Sequence, residues 1–167
     1  MIVHDVFSSL PRVRRLAQSA DYGQIEKMFL AVVPGYLDKH LRELAEKHTG
    51  DKFVSIATVF RHNNSFVDNQ LRIHSDDVIQ GQQPDYATVT YLKGGGSGTG
   101  FFSHIDFGSH WKKGDPKVHK GKGWKLDEYQ EPIDNSMLIY EADRYHCRYP
   151  FATASPRFVI CQFLRKL

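Results

Sequence analysis

The chain has 167 residues, enough for one domain (1–167) with a hydrophobic core but short for two. Its hydrophobic content of 41% and charged content of 25% are ordinary for a globular protein, and it has no apolar run of about 18 residues that would predict a membrane span. The net charge of +3 is too small to indicate nucleic-acid binding by itself. The two cysteines form no Cys-x-x-Cys pair and the N-terminus lacks a signal-peptide pattern, so we expect free thiols and a cytoplasmic protein.

Residues 1–50 are predicted to be mostly helical and to support the rest of the fold. Apolar residues recur at i, i+3 and i+4 spacing in two stretches, Val13–Leu16–Ala17 and Ile25–Met28–Phe29–Val32. Pro34-Gly35 must break the chain direction, and a further helix is predicted from Tyr36 to His48 with Gly50 after its end.

From Lys52 onward, short runs of β-branched and aromatic residues alternate with turn residues. The predicted strands are Phe53–Phe60, Asn69–Asp76, Tyr86–Leu92, Phe101–Phe107, Ser136–Glu141, Tyr145–Phe151 and Phe158–Leu164. Many short strands separated by turns favour a sandwich, barrel or jelly roll. We therefore predict a mainly β protein with N-terminal helices and a β core over residues 52–164.

The glycine run from Gly94 to Gly100 follows a predicted strand, as a phosphate-binding loop would. It lacks the Gly-Lys-Ser/Thr ending of a P-loop, and the next residues are typical of a strand rather than a helix. The run therefore predicts a flexible hairpin between two strands.

The motif His74-x-Asp76 places an imidazole and a carboxylate on one face of an extended segment. His146, far along the chain, is the candidate for a third ligand. Two histidines and one carboxylate are the ligand set of non-haem Fe(II) oxygenases. A second motif of the same form, His104-Ile105-Asp106, is a rival.

Arg157 lies 11 positions after His146, across a predicted turn. A buried guanidinium beside such a metal site could hold a dicarboxylate co-substrate through two parallel hydrogen bonds. The alternative for Arg157 is a surface salt bridge at the end of a strand.

The polar segment 108–125 contains six lysines and two tryptophans between Trp111 and Lys125. Basic residues interleaved with aromatic ones can bind a nucleic-acid backbone and stack on bases. A lysine-rich lid over a site is the alternative, and the loop 93–100 is a second candidate lid.

Taken in order, five features resemble the Fe(II)/2-oxoglutarate-dependent dioxygenases over roughly residues 52–164. They are His74-x-Asp76, a strand ending in Tyr91-Leu92, the turn into Gly98-Thr99-Gly100-Phe101, His146 and Arg157. The sequence looks closest to the prolyl-hydroxylase-like branch and its small, often phage-borne relatives. The resemblance implies a double-stranded β-helix, which is a distorted jelly roll related to the cupins, and a host-cytoplasmic location if the protein is phage-encoded.

The resemblance also implies an oxidoreductase, a hydroxylase using Fe(II), 2-oxoglutarate and O₂ and releasing succinate and CO₂. His74, Asp76 and His146 would bind iron, with His74 preferred to His104 because two strands follow it. Arg157 would bind the distal carboxylate of 2-oxoglutarate, helped by Tyr91 or Thr90. His104, Thr99, Phe101 and Trp111 are expected at the pocket rim, and the substrate would be a peptide, a small metabolite or a nucleobase.

Two other functions remain open at this point. One is a non-enzymatic β-barrel module that binds a polyanion through the lysine-rich loop. The other is a cupin-like metalloenzyme without 2-oxoglutarate, which would not need Arg157.

Overall fold

The computed structural model describes residues 1–25, 28–63, 72–76, 78–115, 118–119, 121–150 and 155–167. Its helices are α1 (Leu10–Ser19) and α2 (Gly35–Thr49). Its strands are β1 (Ile2–Val3), β2 (Gly23–Ile25), β3 (Met28–Val32), β4 (Phe53–Asn63), β5 (Ile73–His74), β6 (Tyr86–Lys93), β7 (Gly98–His104), β8 (Val118–His119), β9 (Trp124–Gln130), β10 (Ser136–Glu141), β11 (His146–Tyr149) and β12 (Arg157–Lys166).

The strands of these segments form a larger antiparallel sheet in the order β1-β10-β6-β12-β4-β3-β2 and a smaller one in the order β8-β5-β11-β7-β9. From β4 to β7, and again from β9 to β12, each strand lies in the other sheet from the one before it. This alternation is the winding of a double-stranded β-helix. The fold class predicted from the sequence is therefore confirmed.

The larger sheet has one face toward the helices and the other toward the smaller sheet. On β12, Ile160 and Leu164 belong to the core under the helices, whereas Val159 and Cys161 belong to the core between the sheets. Because side chains alternate along a strand, the odd-numbered residues from Ala87 to Tyr91 on β6, from Arg157 to Phe163 on β12 and from Ala57 to Asn63 on β4 face the smaller sheet. Among the described residues, neither helix is long and apolar enough to cross a membrane.

The helix predicted around residues 25–32 is wrong, because the described residues there form the β2–β3 hairpin. β3 pairs along the edge of β4 and so extends the larger sheet. Ile25 is 57% exposed and Val32 is 86% exposed, so the helical spacing of these apolar residues does not mark a buried face. Backbone pairing to an open sheet edge has overridden the local pattern. β9 was also missed, because this edge strand is mostly exposed and charged.

The glycine run does not form the flexible hairpin predicted for it. It connects β6 and β7, which lie in different sheets and do not pair with each other. The turn is closely packed: a Cβ atom on Gly98 would lie 1.9 Å from the backbone oxygen of Gln130, and one on Gly95 would lie 2.8 Å from that of Pro156. The glycines therefore allow backbone segments to approach each other.

We expect Gly98→Ala to lower the free energy of unfolding by about 2 kcal/mol or more, because the new methyl group would force the backbone of β9 to move. Gly23→Ala is the matched control, since Gly23 also begins a strand and a Cβ there meets nothing within 4 Å. Urea denaturation of both variants measures the difference. Equal stability of the two variants would contradict the close packing at Gly98.

Candidate metal centre

The smaller sheet brings together the three residues that the sequence suggested as metal ligands. β5 pairs with β11, and the residue directly opposite His74 is His146, so both imidazoles start from the same face. Their ring centroids lie 4.5 Å apart. Nε2 of His146 is 3.7 Å from Oδ1 of Asp76, and one ligand atom from each residue lies within 4.8 Å of the others.

Backbone carbonyls hold both imidazoles in the tautomer that suits a metal. Nδ1 of His74 is 2.8 Å from the carbonyl oxygen of Arg72, and Nδ1 of His146 is 2.8 Å from that of Arg144. A carbonyl can only accept a hydrogen bond, so each Nδ1 carries the proton and each Nε2 keeps its lone pair.

Removal from water sets the charge of both rings. Burial lowers the pKa of His74 to about 4, helped by the neighbouring His146 and opposed by Asp76. Burial likewise lowers the pKa of His146 to about 4. Both imidazoles are therefore neutral at pH 7, which is the state that binds a metal.

Tyr140 on β10 contributes a hydroxyl group that the sequence did not single out. Its O–H lies 3.1 Å from Nε2 of His146 and donates to it. Burial, followed by the charge of Asp76, raises the pKa of Tyr140 well above its usual value. The phenol therefore stays protonated and points a hydrogen-bond donor at the ligand cluster.

The ligands belong to a row of side chains that crosses the smaller sheet from β5 to β9. Phe101 is opposite His146, and Glu128 is opposite Phe101. The centroid of the Phe101 ring is 6.3 Å from that of His146. Arg144 lies over Phe101 at 3.9 Å and donates to Glu128 at 2.8 Å. Aromatic and charged groups therefore continue outward from the histidines.

Arg157, the first residue of β12, is only 5% exposed and lines the same cavity as the three candidate ligands. Its Nε donates to the carbonyl oxygen of Ser97 at 2.9 Å, and its Nη1 donates to Oδ1 of Asn63 at 3.2 Å. Within the described part of the chain, no carboxylate forms an ion pair with Arg157. A surface salt bridge is thus excluded for the described residues, and the buried cation suits an anionic ligand.

The register of β6 decides between the two expected co-substrate contacts. Tyr91 faces the cavity side, where its hydroxyl is 2.7 Å from Oγ1 of Thr99 and its ring lies 5.4 Å from the Arg157 guanidinium. Thr90 is opposite Met137 and Ile160, which belong to the core under the helices. The side chain of Thr90 therefore points to the face of the sheet opposite the candidate ligands.

Two of the four expected rim residues lie at the cluster. Thr99 lines the cavity and Phe101 flanks His146. His104 instead packs against Phe107 and Trp124, with ring centroids 4.6 and 4.8 Å away.

Trp111 likewise lies away from the ligand cluster. Its indole N–H donates to the carbonyl oxygen of Asp115, and the ring lines a separate surface cavity. The structure therefore brings neither His104 nor Trp111 to the ligand cluster.

The rival His-x-Asp motif has a different environment. Asp106 is 71% exposed, and its backbone N–H donates to Nδ1 of His104. Among the described residues, no third ligand joins this pair into a candidate metal cluster. Strand alternation predicts that Asp77 points away from the face shared by His74 and Asp76, but Asp77 lies outside the described residues.

Sequence reasoning missed several residues that line the cavity. They are Arg61 on β4, Tyr140 on β10, Arg148 on β11 and Cys161 on β12. Strand alternation places Arg61 on the same face as Asn63 and Arg148 on the same face as His146. That signal is present in the sequence, but it says only which residues share a face and not which face is inward.

Sequence comparison finds no matching family model and no similar sequence among curated proteins. Solved structures are similar in shape. HygX from Streptomyces hygroscopicus, with nickel and 2-oxoglutarate bound, has a TM-score of 0.63 at 9% identity over 99% of this chain and 82% of HygX. The viral collagen prolyl hydroxylase of Paramecium Bursaria Chlorella virus-1, in its 2-oxoglutarate complex, has a TM-score of 0.57 at 12% identity, covering 100% of this chain and 95% of the hydroxylase.

The chain has the fold of the Fe(II)/2-oxoglutarate oxygenases. The structure of a Pseudomonas putida prolyl-4-hydroxylase is also similar, with a TM-score of 0.56 at 12% identity over 100% of this chain and 92% of that enzyme. The order of the sequence motifs predicted this fold. The structural comparison, which does not use that order, confirms the prediction. Identities this low establish the fold, while the site rests on the geometry of this chain's own residues.

We expect acid to destabilise the metal-free protein. Because folding lowers the pKa of His74 and His146 from 6.5 to about 4, their contribution to stability is complete above pH 6.5 and is lost as the pH falls toward 4. The free energy of unfolding in urea should fall by at least about 1 kcal/mol between pH 7 and pH 5. The double variant His74→Gln/His146→Gln should lose less over this range. The same acid sensitivity in both proteins would mean that these rings are not the groups that titrate.

Proposed function

We propose that the protein is an Fe(II)- and 2-oxoglutarate-dependent oxygenase in which His74, Asp76 and His146 hold the iron. The donor set supports this: two neutral imidazoles present Nε2 beside one buried carboxylate. Such a set leaves coordination positions for co-substrate and O₂. Bound iron and 2-oxoglutarate would supply oxidation of a substrate C–H bond, with release of succinate and CO₂.

The observation that carries the proposal is that the ligand triad and the buried guanidinium of Arg157 line one cavity. A metal site alone would suit several classes of jelly-roll enzyme. A buried cation without a carboxylate partner among the described residues suits a ligand that brings its own carboxylate, as 2-oxoglutarate does. The cupin-like alternative gives no reason for Arg157.

Neighbouring residues would orient this cation. The Ser97 carbonyl and the Asn63 amide oxygen hold two of the guanidinium nitrogens, which restricts the direction of the remaining N–H groups. Tyr91 and Thr99 place hydroxyl groups beside it. We propose that Arg157 and Tyr91 bind the distal carboxylate of 2-oxoglutarate.

The primary substrate would enter through an open groove next to the ligands. Tyr140 lines both the ligand cavity and this groove, and Phe101 forms part of its wall. The groove has a volume of about 450 Å³, within the range of small-molecule sites. HygX has been crystallised with hygromycin B, which shows that the same fold accommodates a small molecule of that kind. We propose hydroxylation of a small molecule or a short peptide segment.

The two His-x-Asp motifs provide a matched test of the metal ligands. Asp76→Asn should abolish the weak visible absorption band that we expect when the wild-type protein is mixed anaerobically with Fe(II) and 2-oxoglutarate. Asp106→Asn should leave the band unchanged, because Asp106 is exposed and lies outside the cluster. Loss of the band in Asp106→Asn alone would assign the metal to the rival motif.

Arg157→Gln should weaken 2-oxoglutarate binding at least about tenfold while Fe(II) still binds, because it removes a charge-assisted pair of hydrogen bonds. Titration of the visible band with 2-oxoglutarate measures this. Arg165→Gln is the control, since Arg165 lies at the exposed end of the same strand. Unchanged 2-oxoglutarate affinity in Arg157→Gln would remove this residue from its proposed role.

A further inference from the structure

The hydroxyl group of Tyr140 forms a hydrogen bond with the very atom that the proposed iron would need. Its oxygen lies 3.1 Å from Nε2 of His146. Nδ1 of the same ring carries the proton, because it donates to the carbonyl oxygen of Arg144, so Nε2 accepts and the phenol donates. A metal ion bound to His146 would take the same lone pair of Nε2. The hydrogen bond from Tyr140 and a bond between the metal and His146 therefore exclude each other.

The ring of Tyr140 is held in place, so its hydroxyl oxygen stays beside the ligands whichever bond is formed. Tyr140 is only 7% exposed. The centroid of its ring lies 5.3 Å from that of Phe101 and 4.7 Å from that of His146, and both contacts are edge-to-face. Close packing of this kind prevents the ring from swinging away. The O–H bond can still rotate about the C–O bond, and this rotation is the response that remains when Nε2 is taken.

The position of Tyr140 shows where a new acceptor can come from. Within the described part of the chain, the bond to His146 is the only hydrogen bond of the Tyr140 hydroxyl. Tyr140 lines both the ligand cavity and the open groove beside it. A buried donor that loses its acceptor destabilises the protein unless another acceptor replaces the first. A molecule that enters through the groove can supply that acceptor next to the metal.

We propose that metal binding transfers the hydrogen bond of Tyr140 from His146 to a small molecule that enters from the groove and binds beside 2-oxoglutarate. Tyr140 would then help to select the primary substrate. The substrate class that it favours carries an oxygen or nitrogen acceptor, such as a hydroxyl or carbonyl group, close to the bond that reacts. The inference rests on the proposed oxygenase function and adds a specificity-determining residue to it.

The first test uses the full chain loaded with Co(II) and saturating 2-oxoglutarate, with azide as the probe. Co(II) gives a visible spectrum that reports on its ligands, and azide offers acceptor atoms to a neighbouring donor. Tyr140→Phe keeps the ring and removes the hydroxyl, so it should weaken azide binding about fivefold or more while Co(II) still binds. Tyr36→Phe is the matched control, because Tyr36 is 57% exposed on α2 and should leave azide binding unchanged.

A second measurement needs neither azide nor a variant. Titration of the metal-free wild type with Zn(II) should change the near-ultraviolet absorption of tyrosine, because the Tyr140 phenol loses the imidazole as its acceptor. The change should saturate together with metal binding, as measured by calorimetry. It should be retained in Tyr36→Phe and absent in Tyr140→Phe.

Separate outcomes identify which idea fails. A wild type that binds neither Co(II) nor Zn(II) overturns the proposed metal centre and the inference together. A wild type that binds metal without a change in tyrosine absorption overturns the inference alone, and this measurement decides if Tyr140→Phe fails to fold.

The azide experiment can also contradict the inference while the metal centre stands. Equal azide affinity in the wild type and Tyr140→Phe, or no azide binding by the loaded wild type, would mean that the hydroxyl turns to an acceptor of the protein itself. A loss of 2-oxoglutarate affinity in Tyr140→Phe, with azide affinity unchanged, would assign the hydroxyl to the co-substrate instead of to a molecule from the groove.

Discussion

The antiparallel pairing of β5 with β11 places His74 directly opposite His146, although the two residues are 72 positions apart in the sequence. A slip of this pairing by one residue would turn one imidazole to the outer face of the sheet. Asp76 is tied to the same framework, because its backbone N–H donates to the carbonyl oxygen of Ala142 at 2.8 Å. The candidate ligands are thus held by main-chain pairing, and the two carbonyls at Arg72 and Arg144 fix the ring tautomers.

The larger sheet completes the site from the opposite side. One face packs under the helices, which leaves the other face to supply Tyr140 and Arg157 to the cavity and Tyr91 to the core between the sheets. The turn between β6 and β7 links these parts, because Ser97 accepts a hydrogen bond from Arg157 while the glycines around it let the chain pass close to β9. The close packing of this turn therefore also positions the Ser97 carbonyl that orients the buried Arg157 guanidinium.

Charge is distributed unevenly around the candidate metal centre. The inner cavity is lined by arginines from both sheets, whereas the adjoining groove is lined mainly by carboxylates among its described charged residues. Tyr140 lines both the cavity and the groove, so its side chain lies between the two regions.

The sequence by itself determined the fold class, the positions of most core strands, and the short list His74, Asp76, His146 and Arg157, because alternating apolar runs and ligand-type residues are local signals. It could not place residues 25–32 in a hairpin, since an edge of β4 is visible only in three dimensions. Tertiary structure alone decided that Tyr91 rather than Thr90 faces the cavity, that His104 packs away from it, and that Arg61 lies within it. The physical reason is that strand alternation defines two faces, while only the packing of two sheets determines which face is inside.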